Sequence, residues 1–122
     1  MITLDSILAS TKQKLGLTDD YDVFDSVIIS HINSAFFVLW QLGAGRDKSK
    51  PFTISDDKAQ WSDFIDDGLI EVVRDFVYIK VKLIFDPPTN SFLVDQLEKQ
   101  MRENEWRITV AVDEYDPPFK NG

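Results

Sequence analysis

Cysteine is absent from the chain, and histidine occurs once, at His31. Without cysteine there is no disulfide framework, thiolate zinc cluster or thiol nucleophile. A lone imidazole has no second histidine or cysteine with which to hold a transition metal. Long apolar runs are lacking as well. The longest, Ala35 to Trp40, spans six residues, far short of the ~18 needed to cross a bilayer. The opening stretch, Met1 to Ser6, has no basic region followed by an apolar run and does not read as a signal peptide. Basic residues are the scarce charge, with 13 Lys and Arg against 21 Asp and Glu and a formal net charge of −8. Binding to nucleic acid relies on cations that displace counterions from phosphates. A chain this acidic is poorly suited to grip DNA or an anionic membrane.

What is present is core material. Hydrophobic residues make up 43% of the 122 positions and aromatics 12%, enough to organise one core and to argue against a disordered chain. A domain of this size buries only about two-thirds of its unfolded surface, so self-association would add usefully to its stability. The composition implies a single domain over residues 1–112 and a flexible acidic tail over 113–122, where Pro117 and Pro118 fall.

The fold class expected is mainly α, a small bundle of four to five helices. Leu4, Ile7, Leu8 and Leu15 recur at helical spacing over residues 3–15, and Gly16 follows as a stop. Asp22 is placed to cap a second helix over 23–42. In it Phe24, Ile28, Ile32, Phe36 and Leu39 form one stripe, while Phe37 and Trp40 interrupt the polar side. Residues 43–51 read as a loop, and Phe52–Ile54 as one arm of a possible short β-hairpin. A short segment capped by Ser55 would turn Trp61, Phe64 and Ile65 inward, with Asp67-Gly68 breaking it. The clearest helix is 69–85, with two apolar rows containing Phe76 and Val77. Glu71, Arg74, Asp75, Tyr78 and Lys82 occupy its polar face. Pro87-Pro88 end it. Asn90 or Ser91 caps a last helix over 92–107, where Leu93, Leu97, Met101 and Ile108 share a side. Residues 106–112 are ambiguous, because Trp106, Ile108, Val110 and Val112 alternate as they would in a strand.

No constellation of side chains has the pattern of an active site. Asp19, Asp20, Asp22 and Asp25 lack the glycine and closing glutamate of a calcium loop, so turn and cap roles explain them better. Gly43-Ala44-Gly45-Arg46 lacks the lysine and hydroxyl residue of a phosphate loop. Asp56, Asp57, Asp63, Asp66 and Asp67 could in principle supply paired carboxylates, but no partner base or nucleophile accompanies them. Residues 56–75 hold seven acids against two bases, a solubilising face or one that repels phosphate. Arg46, Lys48 and Lys50 form the one basic cluster, followed at once by Phe52. The cluster suits docking on an acidic partner, or on the acidic segment of a neighbouring copy. The chain is therefore read as non-enzymatic, without cofactor or metal. Arg46, Lys48, Lys50, Phe52, Asp56, Asp57, Asp63, Asp66 and Asp67 are its candidate subunit or partner contacts.

Four stretches carry a resemblance. They are His31 to Gly43 (HINSAFFVLWQLG), Trp61 to Phe64 (WSDF), Val77 to Pro88 (VYIKVKLIFDPP) and Glu105 to Arg107 (EWR). In order and spacing they resemble the head-to-tail connector, adaptor or head-completion proteins of tailed bacteriophages. The resemblance implies a helical bundle that assembles as a ring, often twelve-fold, beneath the portal. It also implies docking to the portal and to tail or stopper proteins. Genomic DNA would pass through the ring without specific binding. The site of action would be the head–tail junction of the virion, with the host cytoplasm as the place of assembly. The alternative is an acidic inhibitor that mimics DNA and binds a basic protein.

Overall fold

Apolar stripes become helices here largely where the periodicity puts them, and the ends are set by local hydrogen bonds. A computed structural model describes residues 5–115, apart from the side chains of Asp67, Glu114 and Tyr115. It contains α1 (Ile7–Lys14), α2 (Asp25–Gln41), α3 (Trp61–Phe64), α4 (Asp67–Phe85) and α5 (Ser91–Tyr115), with no strand among the described residues. α1 opens at Ser6, whose hydroxyl accepts the Ala9 N–H at 3.2 Å. Residues 3 and 4 of the expected first helix lie outside the described residues. α2 begins at Asp25 rather than Val23. Asp22 does not cap it with its side chain; its carbonyl instead accepts the Asp25 N–H at 3.2 Å.

Both early helices stop at glycine, as expected. Gly16 and Gly43 adopt φ of 84° and 89°, a left-handed conformation costly for any residue with a Cβ. At the end of α2 the Gly43 N–H reaches Trp40 O and the Ala44 N–H reaches Leu39 O, both at 2.9 Å. These are the paired bonds that satisfy the last carbonyls of a helix.

The hairpin near Phe52–Ile54 does not form. The stretch has no regular structure, and the backbone of Ile54 is taken by a side chain of α2. The Ile54 N–H donates to Asn33 Oδ1 at 2.8 Å, and Asn33 Nδ2 donates to Ile54 O at 3.0 Å. One amide thereby does what a second strand would do. The segment after Ser55 is not helical until Trp61. Asp67-Gly68 opens α4 rather than breaking the chain, with the Leu69 N–H on Asp66 O at 3.1 Å. Asn90 Oδ1 accepts the Phe92 N–H at 2.8 Å and so caps α5. The ambiguous 106–112 stretch is helical, and α5 runs three residues past the expected domain end to Tyr115. The rest of the expected tail, 116–122, lies outside the described residues.

α4 is the central element. α2 and α5 both pack along it while scarcely touching each other, and α1 and α3 close over its middle, around Arg74 and Tyr78. The core joins Ile7, Ile28, Ile32, Phe36, Leu39, Trp61, Phe64, Val73, Phe76, Val77, Val81 and Ile108. Phe36 sits among Phe52, Trp61 and Phe64, with centroids 5.2, 6.1 and 4.6 Å away. Such tilted and edge-on aromatic pairs add to simple area burial. Tyr78 departs from expectation. It is buried, 5.9 Å from the Trp61 ring, because α1 and α3 cover the face of α4 that its charged neighbours suggested was wet. Arg74 stacks over both rings and donates from Nε to the Tyr78 hydroxyl at 3.1 Å.

Candidate functional site

The loop that follows α2 is basic, and the segment around α3 is acidic. Within the chain the two meet. Arg46 donates its backbone N–H to Phe64 O at 2.9 Å and its Nε to Ser62 O at 3.0 Å. Its Nη1 lies 2.6 Å from Asp66 Oδ1. A guanidinium suits this role, because its planar fork can serve a carbonyl and a carboxylate together. Lys48 donates to Gly43 O, and Lys48 O accepts the Trp40 indole N–H at 3.0 Å. Between them Asp47 Oδ1 accepts the Ser49 hydroxyl at 2.6 Å and the Ser49 N–H at 2.9 Å. These two donors hold the Asp47 carboxyl below its ordinary range. Phe52 is half-buried, its centroid 5.2 Å from those of both Phe36 and Phe64.

The acidic residues mostly order turns. Asp56 Oδ1 accepts the Lys58 N–H at 2.9 Å, and Asp63 Oδ2 accepts the Gln60 N–H at 2.9 Å ahead of α3. Asp57 contributes its carbonyl to the Ser6 hydroxyl at 2.7 Å. Asp66 stays 81% exposed despite its ion pair. Asp67 opens α4, and its side chain lies outside the described part. Phe52 is thus packed within the chain, and Arg46, though exposed, is bonded within it. Lys48, Lys50, Asp56, Asp57 and Asp63 remain on the surface.

A cleft of about 320 Å³ lies beside Arg46, Ile65, Asp66, Leu69 and Val112. Its polar groups are the Arg46–Asp66 pair and Lys48, and they form no nucleophile–base arrangement. No group of three or more His, Asp or Glu among the described residues is placed to hold a metal ion. His31 is partly buried on α2. No helix among the described residues is long and apolar enough to cross a membrane.

One polar contact escaped sequence reasoning. Lys12 is 2% exposed in α1. Its Nζ lies 2.9 Å from Asp25 Oδ1 and donates to Asp19 O at 3.0 Å. The acidic turn between α1 and α2 is therefore folded around a buried cation. A lysine in a short helix reads as solvated, and only the aspartates after it hint otherwise.

Taken together these contacts define an all-helical module whose polar side chains cap, turn and pair. A family model described as phage connector protein matches residues 7–115, and the chain belongs to that family. No curated protein and no solved structure matches it.

Proposed function

We propose that the protein is a structural component of the virion that assembles as a ring beneath the portal and lines the passage for DNA. The observation that carries this reading is the connector-family match from residue 7 to 115, which takes in all five helices. The surface supports it. The net charge is −8, and Asp19, Asp20 and Asp22 are exposed. A wall of carboxylates repels the phosphate backbone, so DNA slides past without the counterion release that would make it stick. Lys48, Lys50, Asp56, Asp57 and Asp63 form the rim that faces the portal or the tail-side proteins. Arg46 and Phe52 brace that rim from within.

The test is to produce heads without this protein and examine the portal vertex by electron microscopy. A ring of density should be missing, packaged DNA should leak, and added protein should restore both. If the vertex is unchanged and DNA is retained, the reading fails. The acidic-inhibitor alternative then moves ahead.

A further inference from the structure

The cleft beside Arg46 lies where α5 ends. Val112 lines it and stands one helical turn before Tyr115, the last residue of that helix. The approach is close. A Cβ placed on Gly43 would be 3.1 Å from Val112 Cγ1, so the last turns of α5 are seated against the end of α2. Ala44, Ile65 and Leu69 give the cleft apolar walls, and Gly45 and Gly68 leave it open between them. Its charged groups are mostly bonded within the chain, Arg46 to Asp66 and Lys48 to Gly43 O. At about 320 Å³ it is at the small end of ligand sites. That volume suits one aromatic side chain with a neighbouring residue or two.

The sequence continues from Tyr115 as Asp116-Pro117-Pro118-Phe119-Lys120. We propose that this segment folds back and docks in the cleft of its own chain, with Phe119 on Ile65 and Leu69 and Asp116 beside Arg46 and Lys48. Proline cannot extend the hydrogen-bonded ladder of α5, and a residue before proline is driven out of the helical region. The chain therefore changes direction at Asp116. Successive prolines favour an extended form that rises ~3.1 Å per residue, so Phe119 can stand ~12 Å from Tyr115. The way back along α5 from Tyr115 to Val112 is only ~4.5 Å, which puts the cleft within reach.

Tethering, rather than charge, chooses the occupant. The lining carries both signs, Arg46 and Lys48 against Asp66, and so does the segment, Asp116 against Lys120. A short tether holds its end at an effective concentration on the order of mM. A contact with a Kd of ~100 µM is then filled about ten to one, whereas a second copy at micromolar concentration would leave it mostly empty. A Pro-Pro segment also loses little freedom on docking, since its backbone is restricted beforehand. This docking is a property of the free chain and does not depend on the ring reading.

Because the chain has no cysteine, Asn121→Cys takes a single nitroxide label on the full chain. Paramagnetic broadening is then read at methyl groups. Ile65 and Leu69 should lose most of their signal intensity, and reducing the nitroxide should restore it. Val27 and Ile28, near the far end of α2, a 17-residue helix about 25 Å long, should be unaffected. Phe119→Ser in the labelled chain should return at least half of the lost intensity, and Phe119→Leu should not. Val112 is one turn from the segment and would respond wherever the segment lay, so Ile65 and Leu69 decide. Unbroadened Ile65 and Leu69 would overturn the proposal. So would broadening that Phe119→Ser leaves unchanged, since Phe119 would then not be the anchor. Broadening that grows with protein concentration would put a second copy in the cleft and overturn it as well.

Discussion

The two sides of α4 are held in different ways. Toward α2 and α3 the contact is a cluster of rings, with Phe36, Phe52, Trp61, Phe64 and Tyr78 packed against one another. Toward α5 the seam has a polar clasp. Asn104, 2% exposed, donates from Nδ2 to Asp75 Oδ2 at 2.7 Å, and Gln100 adds a longer bond to the same oxygen at 3.4 Å. Apolar packing is non-directional and tolerates sliding. A buried amide on a carboxylate fixes one register, since any shift leaves both groups unpaired. The aromatic side is therefore held by burial, and the clasp sets where α5 sits.

That contrast can be broken experimentally. Phe36→Ala should be the most damaging single change, costing about 3–5 kcal/mol, as truncating a buried aromatic does. Denaturant melts would show it, and a loss below that of any α5 variant would refute the ranking. Tyr78→Ala should cost about 3 kcal/mol on the same scale. That exceeds Leu83→Ala, because Tyr78 is closed over by Trp61 while Leu83 is only partly buried. The reverse order in thermal melts would mean that α1 and α3 do not cover this face. Asn104→Ala should cost about 1–3 kcal/mol, the penalty for leaving a polar partner unmet. It should also speed amide exchange in α5 more than in α2, and equal effects on both helices would contradict a role in register. Arg46→Ala should cost at most about 1 kcal/mol, since exposed ion pairs contribute little. A larger loss would show that its bonds to Ser62 and Phe64 close the loop against the core.

Sequence pattern carried the helical stretches well and the exceptions poorly, for identifiable reasons. The stripe through Ile28, Ile32, Phe36 and Leu39 and the rows of α4 are long enough for the helical period to stand out. Gly16, Gly43, Pro87-Pro88 and Asn90 act locally and were legible as stops and a cap. Tyr78 was misplaced because its charged neighbours made the face look wet, whereas α1 and α3 come from far along the chain to dry it. Phe52–Ile54 looked like half a hairpin because the sequence does not show an asparagine 21 residues away taking both backbone groups. The alternation at 106–112 fits a strand and a helix apolar on two faces equally, and periodicity alone does not choose. The residues proposed as contacts were legible as charges, but the pairing of Arg46 with Asp66 within the chain depended on where α3 lies. The family resemblance rested on stretches that the match over residues 7–115 now spans.

The hold on α1 has a consequence for how the chain is made. Ser6 bonds to Asp57 O across 51 residues, Ile7 N–H to Ala59 O at 3.0 Å, and the Trp61 indole to Ser10 Oγ at 2.9 Å. An eight-residue helix is not stable by itself in water. On the ribosome, at ~5–20 residues per second, the partners of α1 are synthesised several seconds after it. α1 therefore waits, unfixed, for the middle of the chain. Residues 7–14 become native only once residues 57–61 have been made.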